Sequence, residues 1–242
     1  MIIVKDYEKL QKMIDESNNI VFFGGAGVST ESGVKDFRSV DGLYNEKYDY
    51  PPEVMLSRSF FNEHKSEFFK FYKDKLNCLE IEPNVTHLYL KKLEDSGKLK
   101  AVITQNIDGL HEKSGVKNVL LLHGTIFKNH CMMCGKEHNA DSVFYSKDLI
   151  PRCSCNGIIK PDVVLYEEPL DDEVVSNAIK AISECDLLII AGTSLVVYPA
   201  ASYIRYFKGR NLVIINKDST SYDGKADLVI HDKLGNIFSR LK

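Results

Sequence analysis

The chain has 242 residues, 44% hydrophobic and 27% charged, which is enough apolar material for one large domain or a domain with an insertion. Its 34 acidic and 31 basic residues give a net charge of −3, which argues against the broad basic surface of a nucleic-acid or membrane-binding protein. No apolar run approaches the roughly 20 residues that cross a membrane, and no secretory signal pattern is visible, so we expect a cytoplasmic protein.

Short apolar runs alternate with amphipathic stretches along the chain. The first stretch predicts a helix with four apolar residues on one side, namely Tyr7, Leu10, Met13 and Ile14. Apolar runs predict buried strands at residues 19–24, 100–104, 119–122, 163–166, 187–191, 212–216 and 228–231. Residues 171–184 predict a helix between two of these strands. The alternation is typical of a parallel sheet covered on both faces, so we predict an α/β fold with a Rossmann-like sheet.

Two regions interrupt this alternation within a predicted single domain of residues 1–242. Residues 39–79 carry aromatic side chains at helical spacing and predict a helical insertion in which most of the rings pack together. Residues 125–160 hold four of the six cysteines and show little apolar periodicity. Because such a segment cannot build a hydrophobic core of its own, a bound metal would explain how it is ordered.

A glycine-rich turn follows the first predicted strand, with Gly-Gly-Ala-Gly-Val-Ser at residues 24–29. Small residues there let the backbone approach a pyrophosphate, whose charge meets free N–H groups at the start of a helix. A tight strand-to-helix turn would use the same residues without any ligand. The usual Gly-x-Gly-x-x-Gly spacing is also broken, because Thr30 occupies the third glycine position. The turn alone therefore leaves both interpretations open.

Four cysteines form two close pairs. Cys131 and Cys134 make the first pair, and Cys153 and Cys155 follow after 18 intervening residues. Two thiolate pairs at this spacing are typical of a closed tetrahedral Zn²⁺ site, which leaves no open position for water and is therefore structural. The alternative is a set of reduced thiols without a metal. The neighbouring histidines at positions 130 and 138 could in principle replace one ligand, whereas the cysteines at 78 and 185 are isolated.

The glycine turn begins a longer stretch, Gly-Ala-Gly-Val-Ser at 25–29 and Ser-Gly-Val-Lys-Asp-Phe-Arg at 32–38, which resembles the signature of the sirtuin family. Further blocks that resemble the family are Thr-Gln-Asn-Ile-Asp-Gly-Leu-His at 104–111, His-Gly at 123–124, Gly-Thr-Ser-Leu at 192–195, Pro199 and Asn216. These blocks keep the family order over nearly the whole chain. Lys35 departs from the family pattern, which has Pro there, and this affects only the expected rigidity of the loop.

The resemblance implies a role for each matching residue. His123 would be the general base and Asn106 would help order the nicotinamide end of NAD, although a lone histidine at a strand end is more often structural. The residues implied to bind NAD are Gly25, Ala26, Gly27, Thr30, Phe37, Arg38, Gln105, Ile107, Asp108, Thr193, Ser194, Asn216 and Lys217. The residues implied to bind a peptide as an added strand are Val164, Leu165, Tyr166 and Val196.

The activity that the resemblance implies is NAD-dependent removal of acyl groups, mainly acetyl, from protein lysines, with release of nicotinamide and O-acyl-ADP-ribose. One structural zinc per chain and acyl-lysine proteins as partners are expected, without nucleic-acid or membrane binding. Mono-ADP-ribosyl transfer, an NAD(P)-linked oxidoreductase and a zinc-ribbon nucleic-acid module are the alternatives. Sirtuins that favour succinyl or malonyl groups carry a Tyr-x-x-Arg pair, whose apparent counterpart here is Tyr72 and Lys75, so acetyl is the expected preference.

Overall fold

A computed structural model describes residues 2–36, 42 and 48–242, with the side chains of residues 2–4 left out. The helices are α1 Ile2–Asp15, α2 Pro52–Met55, α3 Arg58–Glu63, α4 Lys65–Lys75, α5 Val85–Asp95, α6 Leu110–Lys113, α7 Asp141–Phe144, α8 Asp172–Glu184 and α9 Leu234–Phe238. The strands are β1 Ile20–Gly24, β2 Leu99–Thr104, β3 Val119–Leu121, β4 Gly124–Cys131, β5 Glu137–Asn139, β6 Ile159–Val163, β7 Leu187–Ala191, β8 Asn211–Ile215 and β9 Leu228–Ile230. Short 3₁₀ helices lie at Ala26–Val28, Thr30–Ser32, Ala200–Tyr206 and Asp223–Lys225.

The main sheet has six parallel strands in the order β3-β2-β1-β7-β8-β9. Six of the seven predicted strands are confirmed to within a residue at either end. The strand order reverses between β1 and β7, since β2 and β3 lie on one side of β1 and the later strands lie on the other. At such a switch point the loops after neighbouring strands diverge and leave a crevice at the carboxyl edge of the sheet.

Both faces of the main sheet are covered, as the continuous apolar strands predict. Successive residues of β1 point to opposite faces, so Phe22 belongs to the core under α1, α5 and α9, whereas Phe23 belongs to the core under α8 and the 3₁₀ helix Ala200–Tyr206. The predicted apolar stripe of α1 is buried in the first of these cores. Helix α8 begins where predicted because the Asp171 carboxylate accepts the N–H groups of Glu173 and Val174, each at 2.9 Å.

A second lobe combines helices α2–α4 with a small antiparallel sheet of order β5-β4-β6. The rings of the helical part are buried, which agrees with their predicted packing role: Phe60, Phe61, Phe68, Phe69, Phe71 and Tyr72. They share one hydrophobic core with Ile126 of β4 and Ile159 of β6. The cysteine-rich segment therefore packs against these helices and shares their hydrophobic core. The boundaries 39–79 and 125–160 stay predictions.

The strand predicted at residues 163–166 is wrong, because the observed strand β6 ends at Val163. Beyond that residue the backbone bonds to two other segments. The N–H of Val164 donates to the His123 carbonyl at 2.9 Å, and the N–H of Tyr166 donates to the Leu56 carbonyl at 3.0 Å. The apolar run is therefore a connecting segment in which Val163 and Leu165 are buried, and hydrophobicity alone does not distinguish it from a strand. Among the described residues, no helix is long and apolar enough to cross a membrane.

Candidate active site

A cleft of about 740 Å³ runs along the carboxyl edge of the main sheet and reaches the second lobe. Most of the predicted site residues line it, namely Gly25, Ala26, Gly27, Thr30, Gln105, Asn106, Ile107, Asp108, His123, Val164, Leu165, Tyr166, Thr193, Ser194, Asn216 and Lys217. Val196 is not part of this lining and is 51% exposed. Phe37 and Arg38 lie outside the described residues.

The glycine turn owes its composition to a close contact between two strand ends. A Cβ on Gly25 would lie 2.7 Å from Thr193 Cβ, and a Cβ on Gly27 would lie 2.8 Å from Gly192 Cα. The Gly27 N–H also donates to the Gly192 carbonyl at 2.8 Å. Since real Cβ atoms do not come that close to backbone, both glycines are required for the turn after β1 to touch the turn after β7. The contact leaves Ala26 and Thr30 at the wall of the cleft.

The loop that follows β2 is tied to both neighbouring turns. Gln105 Nε2 donates to Thr193 Oγ1 at 3.2 Å, and Asn106 Nδ2 donates to Ser29 Oγ at 3.1 Å. Asp108 is 4% exposed, and its Oδ1 accepts the Leu110 N–H at 3.0 Å. Burial raises the pKa of Asp108, while hydrogen bonds led by the one from Ser29 oppose the rise. The loop therefore presents fixed amide and carboxyl groups to one end of the cleft.

His123 follows β3 and is held in a single tautomer. Its Nδ1 lies 2.9 Å from the carbonyl oxygen of Gln105. A carbonyl can only accept, so Nδ1 carries the hydrogen and Nε2 is left as the basic nitrogen. Burial lowers the pKa of His123 from its ordinary value of 6.5, and the bond to Gln105 partly opposes this. His123 is therefore neutral at pH 7 and is able to take up a proton.

The opposite end of the cleft is built by the ends of β8 and β9. Asn216 Nδ2 donates to the Asp218 carbonyl at 2.8 Å, and the Asn216 carbonyl accepts from His231 Nδ1 at 3.0 Å. Three residues that were not predicted also line the cleft, namely Asp232, Lys233 and Leu234. They follow β9, so the rule that sites lie at the carboxyl ends of parallel strands would have found them. The carboxylate contacts of Glu167 and Glu168 were not predicted either, and they carry no such signal.

The four predicted cysteines come together at the tip of the second lobe. Their sulfur atoms all lie within 4.8 Å of one another, with Cys131 and Cys155 at 3.4 Å and Cys134 and Cys153 at 3.8 Å. A zinc ion bound to four thiolates separates the sulfur atoms by about 3.8 Å, whereas a disulfide is about 2.05 Å long. The geometry therefore fits one Zn²⁺. Asn156, which directly follows the second pair, has φ +70°, a left-handed conformation that asparagine adopts more readily than most residues.

Neither neighbouring histidine belongs to this group of sulfur atoms. His130 instead pairs with the carboxylate of Asp162 across the small sheet, through its Nδ1. Gly157 packs directly against the four cysteines, because a Cβ there would lie 2.5 Å from Cys131 Sγ. A set of four thiolates supplies all the ligands of a tetrahedral ion, so zinc at this site stabilises the fold and does not take part in the chemistry.

Comparisons with known proteins agree on one family. The Sir2 family model matches residues 25–199. An NAD-dependent protein deacetylase of Clostridium acetobutylicum is 56% identical over 98% of both chains, and one of Cutibacterium acnes is 51% identical over 97% of both. Among solved structures, Sir2 bound to an acetylated peptide gives a TM-score of 0.86 at 34% identity, covering 96% of this chain and 95% of that one. A Sir2 complex with a p53 peptide and NAD⁺ gives 0.85 at 35% identity over the same shares.

The cysteine geometry predicts one zinc ion per chain, measured by elemental analysis of protein purified without chelators. Cys131→Ala should remove the metal and lower the melting temperature, because the second lobe loses its cross-link. Cys185→Ala is the matched control, since that thiol is buried in the core under α8 and should leave the zinc content at one. A Cys131→Ala protein with unchanged zinc content and melting temperature would disprove the assignment.

Proposed function

This chain belongs to the Sir2 family of NAD-dependent protein deacetylases. We propose that its cleft binds NAD and an acetyl-lysine peptide side by side. The observation that carries the proposal is the neutral His123, fixed by Gln105 in the same cleft as the glycine turn and the buried Asp108. A base, a small-residue turn and a fixed carboxyl group are the parts that such a reaction needs.

The residues present fit NAD along the length of the cleft. Ala26 and Thr30 lie at the turn where a pyrophosphate can approach the backbone, and Asn216 lies at the end suited to the adenosine half. Asp108 and Ile107 lie at the other end, where a carboxyl group can accept a hydrogen bond from the nicotinamide amide. Bound NAD supplies an activated ribose carbon to which the acyl oxygen adds as nicotinamide leaves.

His123 is the residue proposed to transfer a proton in this reaction. Its Nε2 would accept the proton of a ribose hydroxyl, so that this oxygen can attack the acyl carbon. The same proton would return to the departing lysine nitrogen, and one water molecule would complete O-acyl-ADP-ribose. The Gln105 carbonyl holds Nδ1–H throughout and stabilises the imidazolium that forms. Gln105 also bonds to Thr193, so the base is fixed to the turn after β7. The peptide would enter as an added strand between segment 163–167 and segment 195–198, with backbone bonds supplying much of its affinity.

Product analysis tests this function directly. We expect the protein, NAD and an acetyl-lysine peptide to yield nicotinamide, O-acetyl-ADP-ribose and free lysine. Appearance of reduced nicotinamide in an absorbance assay would support an oxidoreductase instead. ADP-ribose attached to the peptide or to the protein would support mono-ADP-ribosyl transfer.

Replacement of His123 should abolish turnover without unfolding the chain. We expect His123→Ala to lower kcat for acetyl-peptide by about a hundredfold to ten-thousandfold, because general-base catalysis contributes an effect of that size. His64→Ala is the control, since His64 stacks on Phe60 in the second lobe and does not line the described cleft. Near-normal turnover in a folded His123→Ala protein would remove His123 from the mechanism.

The lowered pKa of His123 makes a prediction about pH. The neutral imidazole is the active form, so kcat/KM should be constant near neutrality and fall about tenfold per pH unit as pH drops through the His123 pKa. Because burial lowers this pKa, the fall should be centred below pH 6.5. A profile measured from pH 5 to 8 checks this, with circular dichroism at each pH to verify folding. A fall centred above 6.5 would contradict the neutral-base assignment.

We further propose that acetyl is preferred over succinyl. Tyr72 is fully buried between Phe68 and Phe144, whereas Lys75 lines the cleft. A lysine offers a mobile, strongly hydrated charge in place of the planar fork with which arginine binds a carboxylate. Loss of one such bond corresponds to about ten- to a hundredfold in selectivity.

Comparison of kcat/KM on acetyl and succinyl peptides measures this preference. Lys75→Arg should raise succinyl activity, because its fork would face the acyl group from the cleft wall. Lys73→Arg is the matched control on the same helix, since Lys73 Nζ donates to the Asp148 carbonyl at 2.7 Å and does not line the described cleft. A wild-type enzyme that is faster on succinyl-lysine would overturn the preference.

A further inference from the structure

Two adjacent carboxylates fasten the segment 164–168, which forms one wall of the cleft. Glu167 has φ +74°, a left-handed conformation that is costly for a residue with a side chain. Its carboxylate accepts two hydrogen bonds from Ser59, with Oε2 2.8 Å from the backbone nitrogen and Oε1 2.9 Å from the hydroxyl. The two bonds offset the cost of the backbone conformation and connect the segment to helix α3.

Glu168 connects the same segment to two more elements. Its Oε1 lies 3.1 Å from the guanidinium of Arg58 in α3, and its Oε2 lies 3.4 Å from the amine of Lys160 in β6. Oε2 also accepts the N–H of Leu165 at 2.8 Å. Lys160 is buried, which lowers its pKa, and the charge of Glu168 opposes this shift. One carboxylate thus joins the second lobe's helices, its sheet and the wall of the cleft.

Backbone pairing reinforces these contacts at the intervening residue. Tyr166 donates its N–H to Leu56 and accepts from the N–H of Arg58 at 2.9 Å, in a parallel bridge centred on Ser57. Both backbone groups of Tyr166 are therefore used by the start of α3. The N–H of Tyr166 is therefore not open to a peptide, whereas its carbonyl oxygen has a second lone pair that can accept a further hydrogen bond.

We propose that Glu167 and Glu168 are positioning residues that latch segment 164–168 onto α3 and β6 and thereby set the affinity for the peptide. The proposal rests on the proposed function, in which the peptide adds a strand beside this segment. The latch acts on backbone geometry, so it affects acetyl-lysine peptides of every flanking sequence alike. Both carboxylates are engaged by the chain itself, which distinguishes the latch from direct recognition of basic residues in a substrate.

Ser59→Ala is the sharpest variant, because Ser59 lies outside the described lining of the cleft and is not placed to touch the peptide. It removes one of the two bonds to Glu167, and we expect the KM for acetyl-peptide to rise roughly threefold. Glu167→Ala removes both bonds and should raise it roughly tenfold. The double variant should be no worse than Glu167→Ala alone, because the two residues act through one contact. The KM for NAD and kcat should stay within about twofold in all three.

One matched control and one alternative variant complete the design. Glu173→Gln removes a carboxylate charge from nearby α8 outside the described lining, and it should leave the KM for peptide unchanged. Glu167→Gly removes the carboxylate without the left-handed strain, so it provides a folded variant if alanine at φ +74° prevents folding. Each variant is measured with a peptide of neutral flanking residues and with one that has arginine on both sides of the acetyl-lysine.

Equal increases in KM for both peptides support the latch. An increase confined to the arginine peptide would show direct recognition and overturn it, as would an unchanged KM in folded variants or a parallel increase in the KM for NAD. Fluorescence anisotropy with a labelled acetyl-lysine peptide measures the same affinities without turnover. An inactive wild-type enzyme would contradict the proposed function. An active wild-type enzyme whose variants keep the same peptide affinity would contradict the latch alone.

Discussion

The close contact between the turns after β1 and β7 is the constraint on which the site depends. Strands β1 and β7 are neighbours in the sheet, and their turns touch because Gly27 and Gly192 present only backbone to each other. Side chains at either position would push the turns apart. Thr193 would then lose its bond to Gln105, whose carbonyl fixes the tautomer of His123. The glycines thus affect the position of His123, the proposed base, through two hydrogen bonds.

The second lobe is joined to this arrangement by strand β4, which begins one residue after His123 and ends at Cys131. Within the strand, the N–H of Ile126 donates to the carbonyl of Ile107 at 3.1 Å. The ring of Phe127, the next residue, packs directly on Gly109, where an added Cβ would lie 2.3 Å from Phe127 Cε2. One strand therefore connects the cysteine group, His123 and the loop of Asp108. This is how a metal that takes no part in the chemistry can still affect the site.

Much of the fold was predictable because its strands are buried on both faces and so carry continuous apolar runs. The zinc ligands and the glycine turn were predictable because few other residue types satisfy their geometry. The strand at 163–166 was misplaced because an apolar run does not show what buries it. Leu165 packs in the second lobe's core and does not pair in a sheet. Strands β4 and β5 were missed because neither carries an apolar run: β5 has three polar residues, and β4 has only Ile126 and Phe127 as adjacent apolar residues.

The residues that escaped prediction differ from those that were found in what they contact. Glu167 and Glu168 bond to Ser59 and Arg58, which lie more than a hundred residues earlier. Nothing in a local pattern distinguishes such carboxylates from solvated charges, and an acidic pair before the helix α8 is ordinary. Their position becomes informative only when the left-handed backbone at Glu167 and the buried amine of Lys160 are seen together. The residues proposed to contact ligands lie in short sequence motifs. The residues that position them are held by contacts between distant parts of the chain, which no short motif reveals.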